Sequence, residues 1–323
     1  MMYIDMHCDT VMGYADTKSG FSLLKNDRAI DFPRMKAGGA MAQFFAVFLP
    51  PETRIMIDGE LVSDDAYIDL VYRCYTADLA AAADLIAPAY NAADIERNHR
   101  EGRMSAVLTM EDGRAINGDP ARLDEFYRMG FRAISLTWNG ENCLAYPNSN
   151  DPAQMRLGLK DFGKLAVERM NELGILVDVS HLSEGGFWDV IDVCKKPFIA
   201  SHSNALALSP HQRNLSDEQL RALGNAGGVT GLNFCPAFLN ADTSCNRSTA
   251  KLLAEHARYI VDMAGMETCA LGSDWDGIGG DVEIDRCDKI GLFYDALSAV
   301  GFSDDQVEMI AWKNVLRVIR EAM

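Results

Sequence analysis

The sequence has no apolar segment long enough to cross a membrane and no cluster of basic residues. Its 323 residues include 30 Lys and Arg against 47 Asp and Glu, which gives a formal net charge of −17. The longest apolar stretch, AGGAMAQFFAVFLP, is shorter than the roughly 20 residues that a transmembrane helix needs. A protein this acidic repels phosphate backbones. These absences predict that the protein binds neither a membrane nor nucleic acid.

Signatures of secretion, disulfide bonding and nucleotide binding are also absent. No basic segment followed by an apolar one opens the chain, so we expect a cytoplasmic protein. The eight cysteines are scattered without a CxxC pair, which indicates reduced thiols. After the first predicted strand, CDTVMGYADTKSG contains neither GxGxxG nor GxxxxGK[ST], which argues against an open, doubly wound nucleotide-binding sheet.

Short apolar segments alternate with amphipathic helical patterns along the chain. The predicted strands cover residues 3–9, 40–49, 104–111, 132–138, 175–180, 197–203, 228–234 and 269–275. Between them, segments such as RLDEFYRMG and TAKLLAEHARYIVDMAG carry apolar residues at helical spacing and end at glycine, a common helix C-cap. Strands that alternate with helices pair in parallel, and eight such units predict a closed (β/α)8 TIM barrel.

Residues 50–103 are too many for one crossover helix. Within them, VYRCYTADLAAAADLIAPAYNAADIERNH predicts continuous helix. No linker-like composition brackets this stretch. We therefore expect one catalytic barrel domain over residues 1–323, with a helical elaboration around 50–103.

Unusual residues stand where the predicted strands end, which is where active sites lie in parallel barrels. These residues are His7, Asp9, Glu111, Trp138, Asn139, His181, His202, Asp274 and Asp276. The chain has only six histidines, and three of them occupy such positions. We expect His256, inside an amphipathic helix, to be scaffold, and His99, in a polar run, to lie on the surface.

Imidazole and carboxylate together are suitable ligands for zinc and similar divalent ions. Three histidines with two or three carboxylates exceed what one catalytic ion uses, so the set predicts two ions that share a bridging carboxylate and a water. Such a pair lowers the pKa of that water and polarises a carbonyl or phosphoryl oxygen, which predicts hydrolysis. Asp5, one step before His7 on the same strand face, is expected to be a buried support.

Several segments, taken in order, match one known family. They are DMHCDT, DFPRMKAGGAMAQFFAVFLP, MEDG, VDVSHLS, PFIASHSNA, QRNLSDEQL, GLNF, LGSDWDG and KNVLRV. With them the chain resembles the membrane dipeptidase (renal dipeptidase) family of binuclear zinc dipeptidases, whose barrel is of the metal-dependent amidohydrolase type. The resemblance implies cleavage of free dipeptides by a hydroxide that bridges two zinc ions, and relatives in this family are often homodimers.

The resemblance also implies the ligand set of each metal ion. His7 and Asp9 would bind one zinc, His181 and His202 would bind the other, and Glu111 would bridge both.

Two further residues match family positions that act on the substrate. Asp274 matches the aspartate that takes the proton of the attacking water and delivers it to the leaving amine. Arg213 matches the arginine that pairs with the dipeptide's C-terminal carboxylate, for which a guanidinium fork is suited. For Arg213 alone, the alternative is a surface salt bridge.

One position departs from the family pattern. Where mammalian members have LTHN, this chain has LTWN, so that Trp138 replaces a histidine that contacts the substrate carbonyl. An indole N–H donates one hydrogen bond, but it neither transfers a proton nor carries a charge. Trp138 donates this bond, or Asn139 or Asn142 takes it over, or the substrate range differs.

Two alternatives to a dipeptidase follow. One is a related amidohydrolase that acts on N-acyl amino acids or lactones. The other is a catalytically weak relative that binds metal.

Overall fold

The computed structural model describes residues 1–242 and 244–323, and its centre is a closed barrel of parallel strands. The barrel strands are β1 (Tyr3–Asp5), β2 (Ala40–Phe48), β3 (Met104–Glu111), β4 (Phe131–Ser135), β5 (Leu176–Asp178), β6 (Ile199–Ala200), β7 (Val229–Leu232) and β8 (Cys269–Leu271). Each strand pairs with the next along the chain, and β8 pairs with β1. The eight predicted strands and the TIM barrel are confirmed.

Helices surround the barrel. The α-helices with eight or more residues are Asp64–Ala81, Ala92–Arg100, Ala121–Met129, Asp161–Leu173, Glu184–Val193, Asp217–Asn225, Ala250–Ala264, Gly291–Ala299 and Asn314–Ala322. Shorter ones are Phe32–Gly38, Pro152–Met155, Pro236–Leu239 and Asp304–Glu308. The predicted glycine C-cap at Gly130 is confirmed, with φ of 102°. Within the described residues, no helix has both the length and the apolar character that crossing a membrane requires.

The prediction of continuous helix over 71–99 is wrong in its middle. The helix Asp64–Ala81 ends before a turn, and a short strand, Ile86–Pro88, then pairs in parallel with the start of β3. The helix Ala92–Arg100 follows, with Asn91 as its N-cap. The alanine-rich sequence favours helix locally, but Pro88 lacks the N–H that a continuing helix needs. The backbone of this segment therefore pairs with the sheet.

Two buried aspartates tie neighbouring barrel strands together. Asp5, at the end of β1, accepts hydrogen bonds from Gln43 Nε2 of β2 and from the N–H and hydroxyl of Ser273, just after β8. Asp178, at the end of β5, accepts the hydroxyl hydrogen bonds of Ser135 on β4 and Ser201 after β6. Each carboxylate thus joins its own strand to both neighbours. The expected supporting role of Asp5 is confirmed.

Three backbones approach closely at the carboxyl ends of β6, β7 and β8. A Cβ added at Gly272 would lie 1.8 Å from the carbonyl oxygen of Ser201, and one added at Gly231 would lie 2.0 Å from the same atom. Only a residue without a side chain fits at either position. The barrel therefore needs glycine here to keep β6 in register with its neighbours.

We predict that Gly272→Ala lowers the free energy of unfolding by at least about 2 kcal/mol, because the new methyl group overlaps a backbone atom. Chemical denaturation of the purified variant measures this change. Gly291→Ala is the matched control, since a Cβ at Gly291 meets nothing within 4 Å. Equal stability of the Gly272 variant and the wild type would contradict the close approach.

Candidate metal centre and active site

The predicted metal ligands and the predicted catalytic aspartate meet at the carboxyl end of the barrel. They come from the ends of β1, β3, β5, β6 and β8, and each is at most 8% exposed: His7, Asp9, Glu111, His181, His202 and Asp274. Ligand atoms within 4.8 Å of one another form three overlapping groups, two of which contain Glu111. Residues far apart in sequence thus form one buried polar cluster.

Glu111 lies at the centre of this cluster, and its two carboxylate oxygens face different partners. Oε1 lies 3.0 Å from His181 Nε2 and 3.6 Å from His202 Nε2. Oε2 lies 3.5 Å from His7 Nε2, which in turn is 3.6 Å from Asp9 Oδ2. One oxygen of Glu111 therefore faces a pair of histidines, and the other faces a histidine that lies next to an aspartate and whose ring centre is 3.9 Å from that of His202.

These spacings suit metal ligation. Ligands at about 2.1 Å from a tetrahedral ion lie about 3.4 Å from one another, close to the distances around Glu111. His7 Nε2 and Asp9 Oδ1 are buried and have no hydrogen-bond partner among the described residues. Buried polar atoms without partners are costly. A cation at this position would bond to them, so the residues present fit divalent metal ions.

Hydrogen bonds fix the orientation of two of the histidines. His202 Nδ1 lies 2.7 Å from Ser201 Oγ, whose own hydrogen bond goes to Asp178. His181 Nδ1 lies 2.9 Å from Asn139 Oδ1. Because a carbonyl oxygen can only accept, His181 Nδ1 is the donor. Both rings then present the Nε2 lone pair to the centre of the site, as metal-binding histidines do.

The electrostatics of the cluster differ among its three histidines. Burial, aided by the positive charge of Arg213, lowers the pKa of His181 to about 4, and burial also holds the pKa of His202 well below its usual range. Both rings are therefore neutral near pH 7. Burial also opposes protonation of His7, but the carboxylates of Glu111 and Asp9 outweigh it and raise the pKa of that ring.

Asp274 lies beside the cluster and lines the cavity above it. Its Oδ1 is 3.9 Å from His7 Nε2, and its Oδ2 accepts a hydrogen bond of 2.8 Å from Asn233 Nδ2. Burial is the main reason why the pKa of the Asp274 carboxyl rises to about 8, and the carboxylates of Asp9 and Glu111 add to it. A carboxyl of this kind can take up and release a proton near neutral pH.

Left-handed backbone is concentrated at this rim. His181, Asp274 and Asp276 have φ of 69°, 63° and 69°, a conformation that is uncommon for residues other than glycine and is found at functional sites. Asp276 does not join the cluster. Its oxygens accept hydrogen bonds from the Thr10 hydroxyl and from Ala29 N–H, which anchors two other loops.

Arg213 is buried in the loop that follows β6, so it does not form the surface salt bridge considered as an alternative. It is 6% exposed, and its guanidinium carbon lies 5.5 Å from the centre of the Phe238 ring. Long contacts join it to the His202 carbonyl and the Ser203 hydroxyl, and its Nε has no partner among the described residues. It therefore retains capacity to bind an anion.

A cavity of about 320 Å³ opens over the cluster, within the usual size range for small-molecule sites. Its polar floor includes Asp9, Glu111, His181 and Asp274. Apolar side chains form much of its wall: Met12, Phe48, Trp138, Phe238 and Ile278.

Trp138 lines this cavity, 5.0 Å from Phe48 and 6.1 Å from His181 between ring centres. Asn139 also lines the cavity, and its Oδ1 accepts the hydrogen bond from His181 Nδ1. Asn142 faces elsewhere, because its Nδ2 donates to Asp112 and to the Leu136 carbonyl.

Histidines predicted to lie outside the site do so. His256 is buried, with its Nδ1 accepting a hydrogen bond from Ala205 N–H and its Nε2 next to the Leu239 carbonyl, and His99 is exposed. Both predictions are confirmed.

Sequence reasoning did not single out Asp178, Ser201, Asn233 or Gly277, all of which support the cluster. For Asn233 a signal existed: it is a polar residue that directly follows β7, as His7 and Glu111 stand at the ends of their own strands. For Asp178 the signal was a carboxylate just before a ligand histidine, as in Asp5 before His7. Gly277 ends the segment LGSDWDG, but nothing in the sequence indicated its close approach to the site carboxylates.

A parallel eight-stranded barrel with buried histidines and carboxylates at its carboxyl end defines a metal-dependent hydrolase of the amidohydrolase type. The chain matches the family described as "Membrane dipeptidase (Peptidase family M19)" over residues 1–323. The chain belongs to this family, and it is therefore a metallohydrolase that requires a divalent metal ion.

Individual relatives support this family assignment. The protein named dipeptidase aclJ from Aspergillus oryzae is 33% identical over 300 residues, which are 90% of this chain and 69% of that protein. Among solved structures, a dipeptidase called dipeptidase AC is 25% identical, with a TM-score of 0.88 over 100% of this chain and 98% of its own. A metallopeptidase from Rhodobacter sphaeroides, liganded with a phosphinate mimic of the dipeptide L-Ala-D-Ala, has the same fold. It is 24% identical, with a TM-score of 0.88 over 100% of this chain and 99% of its own.

We predict that Gly277→Ala weakens metal binding at least about ten-fold while the protein stays folded, because the new methyl group would displace two carboxylates of the site. A Cβ there would lie 2.0 Å from Asp9 Oδ2 and 2.5 Å from Asp274 Oδ1. Competition with a chromophoric chelator measures the affinity. The control is Gly279→Ala, where a Cβ meets nothing within 4 Å. Equal affinities of the two variants would contradict the assigned crowding.

Proposed function

We propose that this protein is a dipeptidase that uses two zinc ions to hydrolyse free dipeptides. The observation that supports this proposal most directly is the position of Glu111, whose Oε1 faces His181 and His202 while its Oε2 faces His7. A carboxylate that offers one oxygen to each of two ligand groups suits two ions better than one. Neutral imidazoles and carboxylates are a ligand set that zinc accepts.

In this proposal His7 and Asp9 hold one ion, His181 and His202 hold the other, and Glu111 joins the two halves. When bound, the ions would lower the pKa of a water between them and polarise the peptide carbonyl. Ser201 and Asn139 keep the two histidine rings in the orientation that ligation needs, through their contacts with Nδ1.

Asp274 moves the proton. It takes the proton from the water that adds to the peptide carbonyl, and it delivers that proton to the amine nitrogen as the C–N bond breaks. Its hydrogen bond from Asn233 Nδ2 holds Oδ2, which leaves Oδ1, the oxygen nearer to His7, for this exchange.

Arg213 binds the C-terminal carboxylate of the dipeptide. Its guanidinium lies against Phe238, a wall residue of the cavity, and its Nε has no partner among the described residues. A buried guanidinium binds a carboxylate strongly because charge-assisted hydrogen bonds are worth more than neutral ones. This contact would restrict the enzyme to substrates with a free carboxyl end.

A panel of substrates with added zinc tests the proposal against its alternatives. The panel contains L,L dipeptides, L,D dipeptides, N-acyl amino acids and a lactone; L,D dipeptides are included because the Rhodobacter relative binds a mimic of L-Ala-D-Ala. Turnover of several dipeptides supports the proposal, turnover of acyl amino acids alone supports the related amidohydrolase, and no turnover supports the weakly active relative. The homodimer, the cytoplasmic location and the single catalytic domain stay predictions.

We predict that Glu111→Ala and His181→Ala each lower dipeptide hydrolysis by more than about 100-fold, since even outer partners of metal ligands cost 10-fold to 100-fold. Elemental analysis should find less than two zinc ions per chain in both variants and two in the wild type. His99→Ala, an exposed histidine, is the control and should match the wild type. Full activity with unchanged metal content in either ligand variant would refute the assignment.

We predict that Arg213→Ala raises the KM for free dipeptides about 10-fold to 100-fold, because hydrogen bonds to the carboxylate are lost. For the same dipeptides amidated at the C-terminus, the change should be under about three-fold. Steady-state kinetics on both substrate forms gives the comparison, with the exposed Arg54→Ala as control. Equal effects on both forms would show that Arg213 does not bind the carboxylate.

A further inference from the structure

We propose that Phe48 and Trp138 select the N-terminal residue of the substrate, so that the enzyme prefers dipeptides whose N-terminal side chain is large and apolar. We call these two residues the aromatic corner. The inference rests on the proposed dipeptidase function and adds to it a substrate class and the residues that determine it.

The aromatic corner forms a continuous apolar surface next to the metal centre. Its two rings meet edge to face, with centres 5.0 Å apart and an angle of 65° between their planes. Both side chains are half-buried and line the cavity, so part of each ring remains open to a ligand. The Trp138 ring centre is 6.1 Å from that of His181. A side chain held near His181 would therefore contact the indole.

The aromatic corner is held rigidly with respect to the metal centre. The residue before Trp138, Thr137, is buried and donates its hydroxyl hydrogen bond to the His181 carbonyl. The residue after it, Asn139, contacts His181 Nδ1. Trp138 is thus fixed on both sides to a predicted metal ligand. A fixed wall discriminates between side chains better than a mobile one, because less ordering is needed on binding.

The strand order places Phe48 across the barrel mouth from Arg213, with Glu111 ending and Trp138 following strands that lie between them. Phe48 ends β2 and Trp138 follows β4, so the two residues flank β3 and Glu111. Arg213 follows β6, which in an eight-stranded ring is opposite β2 and two strands away from β4. A dipeptide whose carboxylate reaches Arg213 and whose peptide carbonyl lies over Glu111 then directs its N-terminal residue toward the aromatic corner.

The charges around the cavity agree with an apolar side chain there. Except for Asp276, its acidic and basic lining residues all have roles at the metal centre: Asp9, Glu111, His181 and Asp274. Both oxygens of Asp276 accept hydrogen bonds, from Thr10 and Ala29. Among the described residues, the cavity thus offers no free partner for a charged N-terminal side chain, whose burial would then be costly.

The test compares kcat/KM for the dipeptides Gly-Ala, Leu-Ala, Phe-Ala and Lys-Ala, whose chiral residues are all L, on the zinc-loaded enzyme. We expect the wild type to prefer Leu-Ala and Phe-Ala over Gly-Ala and Lys-Ala by at least about ten-fold, a usual size for differences of this kind in an apolar pocket. Trp138→Ala should reduce the Phe-Ala to Gly-Ala ratio at least about five-fold. Trp138→Phe keeps an aromatic face and should hold that ratio within about two-fold of the wild type.

Three measurements distinguish a change in substrate preference from a general loss of folding or activity. Metal content and Tm of each variant report folding, Phe48→Ala provides a second change in the same corner, and Ala-Gly with Ala-Phe varies the other residue of the dipeptide. The ratio for this last pair should not change in Trp138→Ala. An unchanged Phe-Ala to Gly-Ala ratio in Trp138→Ala would overturn the inference. If that variant loses activity equally on all substrates, the indole instead donates a hydrogen bond to the substrate carbonyl. No turnover of any dipeptide by the wild type would instead refute the proposed function.

Discussion

The buried carboxylate of Glu111 is the constraint on which the rest of the site depends. It lies between three imidazoles, 3.0 to 3.6 Å from its oxygens, and it brings together groups from four different strands. Such a concentration of polar atoms is unfavourable in a protein interior unless each atom has a partner. Divalent ions would supply those partners. The same arrangement that is costly for folding thus creates the place where a water can be activated.

Support for this cluster lies one step deeper in the barrel. Asp5 and Asp178 each bond to both neighbouring strands, and Asp178 also reaches His202 through Ser201. The supports therefore serve folding and the site together, because the same hydrogen bonds that keep the strands in register hold the strand ends from which the proposed ligands come. Gly277 contributes by having no side chain, which leaves room for the carboxylates of the site.

The aromatic corner contains the position at which this chain departs from the LTHN pattern of the mammalian family members. Trp138 occupies a position where the family resemblance leads one to expect a histidine, and the structure places its indole beside Phe48 and over the cavity. The neighbouring residue, Asn139, contacts the His181 ring. A change from imidazole to indole therefore alters the surface that meets the substrate, while the residues that orient the metal ligands stay in place. In this way specificity can vary independently of the hydrolytic chemistry.

The sequence by itself determined the barrel and most of the site. Alternating apolar segments predicted all eight strands, and polar residues at their ends predicted His7, Glu111 and His202, because the carboxyl ends of parallel strands meet at one rim. Tertiary structure alone decided the rest. Local propensity favoured helix where the strand Ile86–Pro88 pairs with β3, and no pattern indicated the crowding at Gly277 or which ring nitrogen of each histidine faces inward. These features depend on contacts between residues far apart in sequence, which local patterns do not encode.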